Sequence, residues 1–242
     1  MASPLHQFEI HPIIPFELNG WNLAFTNSSL FMVLTVLVST VLMTVPMVRQ
    51  RLIPGRWQSI PELLYEFISG VIRDVIGPAG LKYLPLVFTL FMMVFIGNML
   101  GMIPYGFTVT SHIIVTAALG VLVISIVTIM GIVNHGWHFL SLFAPSGLPK
   151  IMYILLIPIE IISFLSRPIT LAVRLCANMT AGHTVLKVFA MFSVMMGAFF
   201  GLAPMLLNCA IVALELLVAV LQAYIFVILT CVYLKDAIEL HH

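Results

Sequence analysis

Apolar residues fall along this chain in long runs broken by short polar stretches. The first run extends from about residue 23 to 48, enough to cross a hydrocarbon core that needs about 20 helical residues. Arg49, Arg51 and Arg56 follow it directly. From residue 59 to 76 the pattern becomes amphipathic. Leu63, Leu64, Phe67, Ile68, Val71, Ile72, Val75 and Ile76 recur at helical spacing, and Glu62, Glu66, Arg73 and Asp74 take the other side. Ser59-Ile-Pro-Glu62 reads as a capping box with Pro61 near the helix start, and Gly77-Pro78 as the stop. Such a helix lies along a membrane surface or packs on other protein.

A second span is expected over about 85–103. It carries Gly97 and Gly101 four apart, a spacing that lets helices approach closely. A third covers about 113–133. Beyond a polar stretch at 134–150, apolar sequence continues from 151 to about 235, interrupted near Gly197, Gly201 and Pro204. That predicts two helices of roughly 30–45 residues, or roughly 45–65 Å at 1.5 Å per residue, against a core of about 30 Å. They must tilt or bend, and Pro168 supplies one candidate bend. The expected fold class is an all-α membrane protein. It has about five membrane-crossing helices plus one amphipathic interfacial helix, the last two long and strongly tilted, in a single integral membrane domain over residues 1–242.

Composition agrees with this pattern. Hydrophobic residues make up 62% of the 242 and charged residues 8%, whereas soluble domains average about 45–50% and about 25%. The arginines after the first span, with Arg73 and Lys82, mark the inner side, and residues 104–112 carry no Lys or Arg. The N-terminal segment 1–22 is therefore expected outside and the C-terminus inside. No Lys or Arg precedes the first apolar run, so no cleavable signal peptide is expected. The net charge of +1 says nothing about partners, but the lack of a basic patch argues against nucleic acid. Cys176, Cys209 and Cys231 lie in apolar segments and read as small hydrophobes. The histidines, His135 and His138 among them, show no metal or haem spacing, and no phosphate-binding loop is present. No cofactor is expected.

Charge is scarce, so its placement is informative. At 100° per residue, Glu160, Ser163, Arg167, Thr170, Arg174 and Asn178 all fall within about 40° of Arg174 on one helix face. His183 and Lys187 take the opposite face. On the last helix Asn208, Glu215, Gln222 and Asp236 follow one heptad register, with Leu229 in the remaining place. A charge at the bilayer centre costs at least about 2.5–3.5 kcal/mol. Arginine cannot shed its proton, whereas Glu160, His183 and Glu215 can exchange theirs. Asn178, Gln222, Ser163 and Thr170 can hold water. This is the inventory of an intramembrane proton path with a fixed charge beside it. Bland alternatives stand for several of these. Arg167 and Lys187 can snorkel to the interface. Glu215 and His183 can form a packing ion pair, and Gln222 can bridge two helices.

The run Arg174-Leu-Cys-Ala-Asn178-Met-Thr-Ala-Gly182-His183, the run Glu215-Leu-Leu-Val-Ala-Val-Leu-Gln222, the closing Val232-Tyr-Leu-Lys-Asp236 and the segment Gly97-Asn98 to Pro104 together resemble subunit a of F-type ATP synthases, of the mitochondrial and related bacterial type. The resemblance covers most of the chain. It implies a stator subunit that provides two offset aqueous half-channels, carrying protons to and from a rotating ring of c subunits and so coupling proton flow to ATP synthesis. The chain would not be catalytic by itself, since ATP chemistry lies on other subunits. The implied partners are the c-ring, b-type peripheral-stalk subunits, the remainder of the complex and membrane lipid. Arg174 would be the essential gate facing the ring carboxylate. Asn178, His183, Glu215 and Gln222 would form the outer half-channel, with His112 placed at its entrance by topology. Glu160 and Ser163 would form the inner one, with Asp236 and Glu239 beside them. The histidine-then-acid order of His183 and Glu215 reverses that of another branch of the family. The implied location is an energy-transducing membrane, bacterial plasma membrane or mitochondrial inner membrane. A secondary transporter would instead show internal repeats with matching broken helices, and the polar seams here are confined to the C-terminal part. A structural subunit of a respiratory complex would leave those seams unexplained.

Overall fold

Thr26 opens the first helix. Its hydroxyl accepts from the Ser29 N–H at 3.4 Å, satisfying one of the unpaired donors of the first turn. Helix α1 then runs over Asn27–Thr44 and ends in a 3₁₀ turn, Val45–Met47. It begins a few residues later than the apolar run because Phe25–Thr26 is a strand paired antiparallel with Pro12–Ile14, and inside that pair Glu17–Leu18 meets Trp21–Asn22. The computed structural model describes residues 10–14, 17–18, 21–22, 24–48, 53–103, 106–136 and 150–238. Arg49, Arg51, His138 and Glu239 lie outside these.

Helix α2, Ser59–Val75, is the expected amphipathic helix, but it does not start with a capping box. A turn precedes it, so the Ser59 N–H already bonds Gly55 O at 3.0 Å and the Ser59 hydroxyl donates to the same carbonyl at 3.1 Å. Ser59 is thus inside the helix rather than capping it. Glu62 instead accepts from the Gln58 amide at 2.7 Å. The apolar stripe divides: Ile68 and Ile72 are buried, whereas Leu63 and Phe67 remain exposed. Phe67 also contacts the rings of Phe91 and Tyr224. Gly77, at φ 92°, turns the chain sharply into a 3₁₀ segment, Pro78–Tyr83.

Helix α3, Leu84–Gly101, is apolar on every side and is the most buried of the spans. That fits a central position, since a helix hydrophobic all round must be surrounded. It packs on α1 and on the last helix. Helix α4, Ile113–His135, turns Thr116, Gly120, Val123, Val127 and Gly131 inward, small and β-branched residues that let backbones approach. A side chain at Gly120 would begin 2.8 Å from the carbonyl oxygen of Pro168 on the following helix.

Helix α5, Lys150–Met195, has 46 residues and continues through Pro158 and Pro168. A short α6, Gly197–Phe200, leads into α7, Leu202–Ile238, of 37 residues. Gly197 adopts φ 75°, and the Ser193 hydroxyl donates to Gly201 O at 2.8 Å, closing the turn. At 1.5 Å per residue the two helices measure about 70 and about 55 Å, far beyond a core of about 30 Å. Among the described residues five helices are long and apolar enough to cross a membrane, and with α2 beside them the all-α membrane fold is as expected.

Candidate functional site

The polar residues of α5 separate onto two sides of the helix. Ser163, Thr170, Arg174 and Asn178 are exposed on the outer face, among exposed Ile162, Ile169 and Val173. Arg174 stands near the midpoint of α5 and has no ion-pair partner among the described residues. Glu160 is half-buried toward the start of the helix.

Arg167 departs from the stripe. It is half-buried, with Nη1 3.1 Å from Asp236 Oδ2 on α7. Its guanidinium lies 5.0 Å from the centre of the Tyr233 ring and 5.6 Å from that of Phe164. A planar cation beside two rings and a carboxylate ties the two helices together.

His183, nine residues from Arg174 and so on the opposite face, is buried against α7. Its Nδ1 lies 3.7 Å from Glu215 Oε1. Glu215 is only 4% exposed, and neither carboxyl oxygen has a hydrogen-bond partner among the described residues. Gly182 makes this approach possible: a Cβ there would lie 2.6 Å from Glu215 Oε1. Gln222, two turns along α7, is buried on the same side, and Asn208 is half-buried with its Oδ1 unpartnered among the described residues.

The segment between α3 and α4 completes the cluster. It folds back as a 3₁₀ turn, Val109–Ser111, that is buried rather than looping into solvent. Thr108 Oγ1 lies 3.0 Å from His183 Nε2. The Thr110 hydroxyl donates to Asn98 Oδ1 at 2.9 Å, and the Asn98 amide donates to Ala219 O on α7 at 3.2 Å. Cys176 Sγ donates to Ser111 O at 2.8 Å. The two glycines of α3 make room for this segment: a Cβ at Gly101 would meet Thr108 Cγ2 at 2.6 Å, and one at Gly97 would face Thr110 and Thr35. The glycine spacing predicts close packing there, but between helices. Thr108, Thr110, Asn98, Gly182 and the Arg167–Asp236 pairing were not anticipated; the glycine spacing was the one available signal.

His112 stacks on Phe107 with ring centres 5.0 Å apart, and its Nε2 is buried without a partner among the described residues. Burial holds its imidazole below the usual histidine range. No hydrogen bond among the described residues joins it to the His183–Glu215 pair. No group of three or more His, Cys, Asp or Glu side chains is gathered for a metal among the described residues.

A multi-helix membrane protein with a buried acid–histidine pair behind an exposed arginine that has no ion-pair partner among the described residues has the parts needed to handle protons within a bilayer. Comparison with known proteins gives the family. The sequence matches the ATP synthase A chain family over residues 29–235. It is 52% identical over 241 residues to ATP synthase subunit a of Rhodospirillum rubrum, covering all of both chains. It is 51% identical over 247 residues to that of Mesorhizobium japonicum, covering all of this chain and 98% of the relative. With that of Paramagnetospirillum magneticum it shares 49% over 247 residues, again across both chains. The chain belongs to the ATP synthase A chain family, multi-pass membrane subunits that translocate protons while ATP chemistry lies on other subunits of the complex.

Proposed function

We propose that the chain supplies two offset proton half-channels that meet at Arg174 on a surface covered by a ring of c subunits. The observation that carries this is the division of α5. A permanent cation is exposed in the middle of a membrane-length helix with no partner among the described residues, and a proton-exchanging pair is buried on the reverse face. An unpaired arginine at that depth is costly. A carboxylate brought by a neighbouring subunit would relieve the cost. The arginine in turn would favour that carboxylate's ionised form as it passes, since a cation within about 4–6 Å lowers a carboxyl pKa by roughly 1–3 units. The same fixed charge blocks direct proton leakage between the two channels.

On this reading His183, Glu215, Gln222 and Asn178 serve the outer channel, with His112 near its mouth, and Glu160 and Ser163 serve the inner one. Asp236 is engaged by Arg167 and shapes the inner end through that tie. The N-terminus lies outside and the C-terminus inside an energy-transducing membrane, the bacterial plasma membrane being favoured by the bacterial sources of the relatives. Peripheral-stalk subunits of the b type hold the chain stationary.

The test is proton-driven ATP synthesis in membrane vesicles carrying Arg174→Ala, with assembly of the complex measured on the same sample. Synthesis should vanish while the complex persists. Synthesis at the normal rate, or loss of the assembled complex, would assign Arg174 a structural role instead.

A further inference from the structure

His183 has a polar group at each ring nitrogen. Nδ1 faces Glu215 Oε1 at 3.7 Å, and Nε2 lies 3.0 Å from Thr108 Oγ1. The Thr108 hydroxyl carries a single proton, and Gly101 O, 3.3 Å away, is an acceptor that can only take that proton. Its oxygen is then left to accept, and the hydrogen it accepts is the one on Nε2. A neutral imidazole with its hydrogen on Nε2 turns the lone pair of Nδ1 toward Glu215.

We propose that Thr108 is a positioning residue of the proton path, one that sets the tautomer of His183 so that Nδ1 stands ready to receive the Glu215 proton. The inference rests on the reading of His183 and Glu215 as a proton-carrying pair. In the step this prepares, the O–H bond of the Glu215 carboxyl breaks and an N–H bond forms at Nδ1. A carboxylate and an imidazolium result, with Nε2–H still donating to Thr108. The reverse transfer restores the carboxyl group.

The surroundings hold the hydroxyl in place. Thr108 is 0% exposed. The next turn is tied to α3 and α7 through Thr110 and Asn98, and to α5 through Cys176 and Ser111 O. Any residue larger than glycine at position 101 would displace Thr108, since a Cβ there falls 2.6 Å from Thr108 Cγ2. The imidazole is thus oriented by a residue from a different element, much as a histidine in a catalytic triad is oriented by the hydrogen bond on its far nitrogen.

The experiment compares Thr108→Val, Thr108→Ser and Glu215→Gln in the whole complex, measuring proton-driven ATP synthesis in vesicles alongside assembly. Valine keeps the shape of threonine and removes the hydroxyl; serine keeps the hydroxyl. The valine variant should assemble and work about tenfold more slowly, the scale of one lost buried hydrogen bond, and the serine variant should recover most of the rate. Thr108→Ala replaces valine if the latter does not assemble. Equal rates in the hydroxyl-free variant and the unaltered complex would overturn the proposal, as would equal losses in the valine and serine variants, which would mean packing alone. If Glu215→Gln is slow while the hydroxyl-free variant is not, this inference fails and the pair's role stands. If Glu215→Gln runs at the normal rate, the reading beneath it fails as well.

Discussion

Replacing Gly182 by alanine separates helix stability from proton handling. Gly182 lies inside α5, where alanine is intrinsically favoured over glycine by up to about 1 kcal/mol. On propensity alone the substitution should strengthen the helix. The added methyl, however, would sit 2.6 Å from Glu215 Oε1, 2.9 Å from Cδ and 3.2 Å from Cγ. Ordinary non-bonded contact needs about 3.5 Å, so the carboxyl end must retreat by about 1 Å. The obstructed atoms end a flexible side chain, so the rotamer can change while the backbone stays in place. The acid's position relative to His183, now 3.7 Å from Nδ1, would be lost. A misplacement of about 1 Å in a reacting group can cost about 100-fold. The expected result is an assembled complex, at least as resistant to thermal dissociation as the unaltered one, with proton-driven ATP synthesis lowered by about 10- to 100-fold. Normal synthesis in an assembled Gly182→Ala complex would refute the idea that the closeness of Glu215 to this backbone matters. A complex that fails to assemble would show that the clash is relieved through the backbone.

Further outcomes follow from the same geometry. Glu215→Gln should slow synthesis more than Gln222→Ala in vesicle assays, because only Glu215 pairs with an ionisable ring; small and equal effects would remove Glu215 from the path. Arg167→Ala and Asp236→Ala should each lower the thermal stability of the solubilised complex. Their double-mutant cycle should give a coupling of about 1 kcal/mol, the scale of a partly exposed ion pair. A coupling near zero would mean that the stacking of Arg167 on Tyr233 and Phe164, rather than the charge pair, holds those helices together.

The spans and the outward stripe of α5 were legible because helical periodicity is a local property: residues three and four apart share a face wherever the helix sits. The opposition of Arg174 and His183 followed from their nine-residue spacing. What meets whom across helices was not legible. Arg167 and Asp236 are 69 positions apart, and nothing local shows that one reaches the other. The inward fold of Thr108, Thr110 and Ser111 was hidden for a different reason. A polar stretch between two spans has the composition of a solvated loop, and only the packing of α3, α5 and α7 shows that its hydroxyls are satisfied inside the protein. Ser59 illustrates the converse: a correct capping motif failed because the turn before it had already used the N–H in question.

The ties on α7 have a mechanical meaning. Its middle is held by the Asn98 amide at Ala219 O, its far end by Arg167 at Asp236, and its last turn by His135 Nε2, 2.9 Å from Ile238 O. The three anchors come from three different helices. In lipid, apolar side chains give little resistance to one helix sliding along another, because each methyl group exchanges one apolar neighbour for the next. Hydrogen bonds and ion pairs have fixed directions and break when the register shifts. On the proposed function a ring turns against this chain and drags along its surface, and these anchors would oppose that shear. Softening any of them would cost torque before it cost folding.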